Sequence, residues 1–333
     1  MKSSLTPVAA GLALAVMAAS SAASAQTVLR ASHQFPGGQG DVRDEMVQMM
    51  ADKVAEADVG LEIEVYPGQS LFKAREQWGA LVRGRLDITA LPLDYASGRH
   101  PEFSATLMPG LVRNHEHARR LNDSEFMDMI KDVIQEGGAR VLADAWLSGA
   151  FASSENCITS PDTVEGQNFR AAGPAFEEML EAAGASIASM PSSEIYTAMQ
   201  TGVLDAANTS SMSFVSYRLY EQVECLTEPG EHALWFMYEP ILISEQVWQG
   251  LDEVQQEALM AASQEAEAFF ADEAANLDRR MVDVFEENGV EVVSMSKADY
   301  DAWLEIAKQS SYQNFADNVE NGQALIDAAL AVE

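Results

Sequence analysis

The apolar positions of the chain alternate between two spacings. Residues 27–32 read as a strand, 33–41 as a glycine-rich loop, and 42–57 as an amphipathic helix with Met46, Met49, Met50 and Val54 on one side, three and four residues apart. Residues 61–66 return to strand, 74–82 are helical and close at Gly84, and 86–91 form an apolar strand ending at Pro92. This alternation predicts an α/β chain with a mostly parallel sheet. Residues 103–111 carry Pro109, 115–121 begin a helix, and 126–135 keep the helical period as far as Gly137-Gly138. The strand at 140–146 runs on through 150–156, long enough to pass from one domain into a second, and 221–227 with 234–244 offer the return path.

Between these crossings, 168–171 is a short strand ending in Arg170, a cation placed where the strand gives way to a Gly-Pro turn and a helix. In open α/β sheets, ligands gather at that end of the strands. The helix at 176–183 stops at Gly184, 186–190 extends toward Pro191, and a short helix starts near Ser192 or Ser193 with Glu194 in its first turn. Gly202 ends it and 203–206 resumes a strand. Residues 252–287 hold no glycine or proline, open with a capping-box pair at Asp252 and Gln255, and end before Gly289. At ~1.5 Å per residue such a helix reaches about 54 Å, too long for one domain with a radius of gyration of roughly 15 Å. It is therefore expected to cross both domains, the alternative being two helices with a kink near Ala271. Residues 291–295 make a last strand and 300–330 are mostly helical. The crossings divide the chain into residues 26–149 with about 235–270, and 150–234 with about 271–333.

Composition narrows the function. Met1-Lys2, the apolar run 7–19 and Ala23-Ser24-Ala25 before Gln26 have the form of a secretory signal peptide, shorter than the ~20 residues that span a bilayer. An exported, periplasmic protein without membrane insertion is expected. Twenty Lys and Arg face 52 Asp and Glu, a net charge of −32, which repels nucleic acid and makes each cation informative if the ligand is an anion. Most of this acidity reads as a solvated surface. Cys157 and Cys225 permit one disulfide in an exported chain, and their spacing excludes a zinc site. Both fall on strand signals beside the crossings, so a bond is expected, with two buried free thiols as the alternative. His33, His100, His115, His117 and His232 are scattered, with no hydrolase, metalloprotease or nucleotide-loop motif among them. No catalytic residue, metal or cofactor is expected.

Gly166-x-x-x-Arg170, followed by Glu194-Ile195-Tyr196-Thr197-Ala198-Met199-Gln200-x-Gly202-Val203-x-Asp205, resembles the solute-binding proteins of TRAP transporters, the DctP-like family. Tyr66-Pro67-Gly68-Gln69, Gly84-Arg85-Leu86-Asp87-Ile88, Leu107-Met108-Pro109-Gly110-Leu111 and the helical run after Leu251 extend the resemblance over nearly the whole chain. It implies a two-domain periplasmic-binding-protein fold with hinge strands, closing around a small organic carboxylate and delivering it as a monomer to membrane permease subunits. Arg170 would hold the carboxylate, in a planar bidentate pair that its fixed charge suits. Asn208, just past the strand of Asp205, would bond to the ligand, and Gln34, Phe35, Phe72, Ala74, Pro92, Leu93, Trp146 and Ser192 match further cleft-lining positions. Relatives often carry a second basic residue just before the strand of Ile158, where this chain has Asn156 and Cys157. Ser192 stands where many have a bulky residue. The half-apolar lining suits a monocarboxylate better than a C4-dicarboxylate. The rival readings are a secreted lyase or isomerase acting on an organic acid, and a sensor that hands its closed state to a receptor.

Overall fold

In a computed structural model of the chain, residues 26–230 and 233–333 are described. The proposed signal peptide and His232 lie outside them. The chain opens with β1 (Thr27–His33), α1 (Val42–Glu56), β2 (Leu61–Tyr66), a short α2 (Gln77–Leu81) and β3 (Ile88–Ala90). Asp41 caps α1 by accepting from the Arg43 amide, and Met46, Met50 and Val54 are buried as their spacing predicts. Then come α3 (His115–Leu121), α4 (Glu125–Glu136), β4 (Ala139–Ala143) and β5 (Trp146–Ser153). α4 buries Phe126, Met127, Ile130 and Ile134 on one face.

The middle of the chain adds β6 (Asn168–Ala171), α5 (Pro174–Ala182), β7 (Ser186–Ser189), α6 (Ile195–Gln200), β8 (Ala206–Ser210) and α7 (Ser211–Ser216). The return runs through β9 (Cys225–Glu228), β10 (Phe236–Tyr238) and β11 (Ile241–Ser244). After α8 (Glu245–Trp248) and α9 (Glu253–Glu287), the chain finishes with β12 (Glu291–Ser294), α10 (Lys297–Ala307), α11 (Gln313–Asn318) and α12 (Gly322–Leu330).

Two sheets result, the first in the order β2-β1-β3-β11-β4 and the second in the order β12-β9-β5-β8-β6-β7, with β10 also on β5. Each is parallel apart from one strand: β11 runs against β3 and β4, and β5 runs against β8 and β9. These two strands belong to the crossings. Their direction is fixed by the neighbouring sheet they come from and not by a local helical crossover. β5 pairs with β10 over Trp146–Ser148 and with β8 from Gly149 onward. Gly149 has no alternative there, because a Cβ would stand 2.1 Å from the Thr209 carbonyl oxygen.

α9 is one uninterrupted helix of 35 residues, so the kinked alternative does not occur. Leu259, Ala262, Ala266 and Phe270 join the core around α1 and the first sheet, while Met281 and Phe285 join the core under β8 and α7. Its length is thus shared between the two sheets. The C-terminal helices also touch both sides, α12 packing on α4 and α10 on α5. Cys157 and Cys225 are joined, with Cα atoms 5.1 Å apart, tying the chain after β5 to the start of β9.

The strand expected at 203–206 begins only at Ala206, because Gly202 takes a positive φ and the turn continues through Val203, which is 56 % exposed. Asn208 therefore lies inside β8, opposite Phe151, and not in a turn beyond it.

Candidate functional site

β6 delivers Arg170 to a position where only 1 % of it is exposed. The side chain is held by protein atoms on three sides: Nε donates to the Met190 carbonyl at 3.0 Å, Nη1 to the Asn208 carbonyl at 2.6 Å, and Nη2 to the Tyr95 hydroxyl at 3.2 Å. A guanidinium has five N–H groups, so these bonds fix its plane and leave two for another acceptor. Burial lowers its pKa, with Tyr95 and Asp94 opposing and Arg75 adding to the shift. A buried carboxylate partner would relieve that desolvation.

Next to it, Asn208 is 0 % exposed, and neither its side-chain oxygen nor its nitrogen has a hydrogen-bond partner among the described residues. The carboxamide of Gln34 is likewise buried and unpartnered. Leaving such groups unpaired costs about 1–3 kcal/mol each, which a ligand with complementary groups removes. Arg43 brings the two segments together. Its guanidinium lies 3.9 Å from the centre of the Phe35 ring and donates to Ser210 Oγ at 3.2 Å and Ser213 Oγ at 3.0 Å, just beyond Asn208. Burial works to lower the Arg43 pKa, but Asp41 and Glu239 outweigh it and hold the group charged. Tyr217, at the end of α7, closes the loop by donating to the Gln34 carbonyl at 3.1 Å.

Residues 69–95 of the first-sheet side meet residues 170–193 of the second. The Tyr95 hydroxyl accepts from the Ser192 amide at 2.9 Å as well as from Arg170. Gln69 Nε2 donates to Ser193 Oγ at 3.1 Å while its Oε1 accepts from the Ala74 amide at 2.9 Å. Arg75 reaches Ser189 Oγ at 2.8 Å. Asp94 is packed so closely on Gly173 that a Cβ there would sit 1.7 Å from its Oδ2. Burial pushes the Asp94 carboxyl up to about 7, with Glu177 adding to the rise and Arg75, Ser104 and Arg170 opposing it.

Arg170, Asn208, Gln34, Phe35, Ser192 and Ala74 thus converge on this region. Pro92 and Leu93 do so only as the start of the 3-10 turn Leu93–Ala96; Leu93 faces the core, and the turn's polar contacts come from Asp94 and Tyr95. Phe72 is half-buried in an outer groove beside Arg75. Trp146 stands apart: its indole donates to Asn122 Oδ1 at 2.8 Å and its ring packs on Tyr238. Asn156 is exposed beyond Ser153, at the end of β5 remote from the Gly149–Ser210 pairing. The chain pattern did not single out Asp94, Tyr95 or Arg43, and Gln69 entered only within Tyr66-Pro67-Gly68-Gln69, not as a site residue. Asp94-Tyr95, directly after a strand end, was the available signal.

Ser148, His115 and Asp278 also cluster. His115 Nε2 lies 3.1 Å from Asp278 Oδ2 and 3.3 Å from Ser148 Oγ. A nucleophile relay needs one imidazole nitrogen on the hydroxyl and the other on the carboxylate. Here the same nitrogen faces both, and Ser148 and Ser211 already bond to Asp278 directly.

Residues 34–318 match the family model for bacterial extracellular solute-binding proteins, family 7, DctP. A solute-binding protein of Albidiferax ferrireducens is 36 % identical over 323 residues, 96 % of either chain, and the sialic acid-binding periplasmic protein SiaP of Vibrio cholerae is 25 % identical over 96 % of this chain and 98 % of its own. Among solved structures, a TRAP periplasmic solute-binding protein from Rhodoferax ferrireducens with bound malonate superposes with a TM-score of 0.87 at 36 % identity, over 90 % of this chain and 96 % of that one. DctP7 of Bordetella pertussis, a receptor binding pyroglutamic acid, shares the fold at 19 % identity, with a TM-score of 0.83 over 91 % of this chain and 99 % of that one. Two sheets with helices packed on them, joined by crossing strands and a shared long helix, agree with these matches: the chain belongs to the family 7 bacterial extracellular solute-binding proteins, the DctP family.

Proposed function

We propose that this solute-binding protein captures a small organic carboxylate between residues 26–149 with about 235–270 on one side and 150–234 with about 271–333 on the other. It works as an exported, periplasmic receptor without catalysis and presents its closed form to TRAP membrane permease subunits. The observation that carries this reading is Arg170, fully buried, pinned by Met190, Asn208 and Tyr95, with two N–H groups left over beside the unpaired carboxamide of Asn208. Closure buries the carboxylate and cation together, where their attraction is stronger than in water, so ligand shifts the population toward the closed form. Asn156 is exposed beyond the end of β5, which favours one anchored carboxylate with a neutral or apolar body beside Phe35, Gln34 and Asn208.

A thermal-shift series with malonate, succinate and pyroglutamate tests this, since a ligand at 100 times its Kd adds about 2.7 kcal/mol of stability. Arg170→Ala should cost roughly 2 to 5 kcal/mol of binding while leaving the fold intact. Calorimetry showing near wild-type affinity in that variant removes the anchor role. Ligand recovered chemically unchanged after long incubation separates the receptor from a lyase or isomerase.

A further inference from the structure

Four arginines line one groove of about 720 Å³ between the outer face of α2 and the turn at Leu93–Ala96: Arg75, Arg83, Arg85 and Arg99, all exposed, with Phe72 and Tyr95 among the other walls. Elsewhere Arg30, Arg43, Arg120, Arg140 and Arg218 each have a carboxylate within 4.0 Å, whereas Arg113, Arg119, Arg279 and Arg280 have none among the described residues but do not line this groove. Among the described residues no ion pair of that length involves any of the four groove arginines. Glu76 is the groove's acidic member, and it too is exposed and outside those pairs. A chain with a net charge of −32 thus concentrates unneutralised cations in one concave place.

That place adjoins the Arg170 site. Tyr95 forms part of the groove wall and its hydroxyl accepts from Arg170. Arg75 lies 5.8 Å from the centre of the Tyr95 ring and bonds across to Ser189. The Tyr95 ring therefore lies between exposed Arg75 and buried Arg170. A small anion approaching a strongly acidic protein is repelled over most of the surface, and at physiological salt the field fades within about 8 Å. Cations beside the cleft act within that distance and raise the local concentration of a small anion there.

We infer that the Arg75, Arg83, Arg85 and Arg99 groove is an entry site that holds small carboxylate anions weakly and steers them to Arg170. This rests on the carboxylate-receptor reading and assigns the route by which that ligand arrives. Steering acts on the encounter, so the groove sets the association rate and leaves dissociation from the closed site unchanged.

The test is stopped-flow tryptophan fluorescence with malonate, succinate and pyroglutamate as probes. It compares wild type, Arg83→Gln/Arg85→Gln/Arg99→Gln, and a charge-matched control, Arg218→Gln/Arg279→Gln/Lys297→Gln. Measurements are made at about 10 mM and about 1 M salt, where the Debye length is roughly 30 Å and 3 Å. Arg75 is kept because of its bond to Ser189. The groove variant should associate roughly ten-fold more slowly in low salt, dissociate at the wild-type rate, and match wild type in high salt, with the control unaffected. Equal association rates for groove variant and wild type in low salt overturn the inference, as does an equal slowing of the control, which would assign the effect to net charge. If wild type binds none of the three acids, the carboxylate-receptor reading fails and this inference fails with it.

Discussion

Arg170 stands out in the sequence because a lone cation at a strand end before a Gly-Pro turn is unusual in so acidic a chain. The residues that orient it do not stand out, since Tyr95 lies 75 positions away and meets it only after the two sheets face each other. Asp94, beside Tyr95, makes a prediction at this scale. Its folded-state pKa is raised from 3.8 to about 7, so between those values the folded protein holds a proton that the unfolded chain has lost. The buried carboxyl therefore costs nothing below about pH 4, and its cost grows as pH rises toward about 7. Asp94→Asn should flatten this component of the stability–pH profile, reducing the loss of melting temperature between pH 5 and 7.5. An unchanged slope in the variant would show that a different group titrates there.

Elements follow sequence most closely where their signals are local. The capping box opening α9 is present, with the Asp252 side chain accepting from the Gln255 amide and the Gln255 side chain accepting from Asp252. Asp252→Ala should cost about 1 kcal/mol, read from denaturant midpoints. β8 illustrates the opposite case. Its five small residues after Asp205 carry a weak strand signal, and its extent is set by pairing with β5 and β6 on either side. On the other edge of β5, pairing with β9 sets Ser153 opposite Cys225 and brings Cys157 beside it. Replacing both cysteines by serine should lower stability by roughly 4 kcal/mol in the chain-entropy model, measured by urea unfolding, with ligand affinity largely kept because neither sulfur touches Arg170 or Asn208.

For the whole molecule, polar contacts join the two sides around Arg170: Gln69 with Ser193, Arg75 with Ser189, Tyr95 with Arg170 and Ser192, Tyr217 with Gln34, and Arg43 with Ser210 and Ser213. Polar contacts of this kind exchange with water at small net gain, about 0.5–1.5 kcal/mol each, so they can open and close, whereas the continuous cores along α9 cannot. Small-angle scattering should therefore show a smaller radius of gyration with a bound organic acid than without. An identical radius in the two states, at ligand concentrations where calorimetry reports saturation, would exclude closure as the response to binding.

The chain alone determined its α/β alternation, the long helix, the two crossings and Arg170, because each depends on spacing, capping or charge within a short window. Only tertiary structure decided that Asn208 sits within a strand, that Trp146 and Asn156 lie apart from Arg170, and that Asp94 and Tyr95 complete its surroundings. Those placements depend on strand register and on the approach of two sheets, which join residues far apart in sequence. No local pattern of hydrophobic and polar positions encodes which distant backbone a side chain will meet.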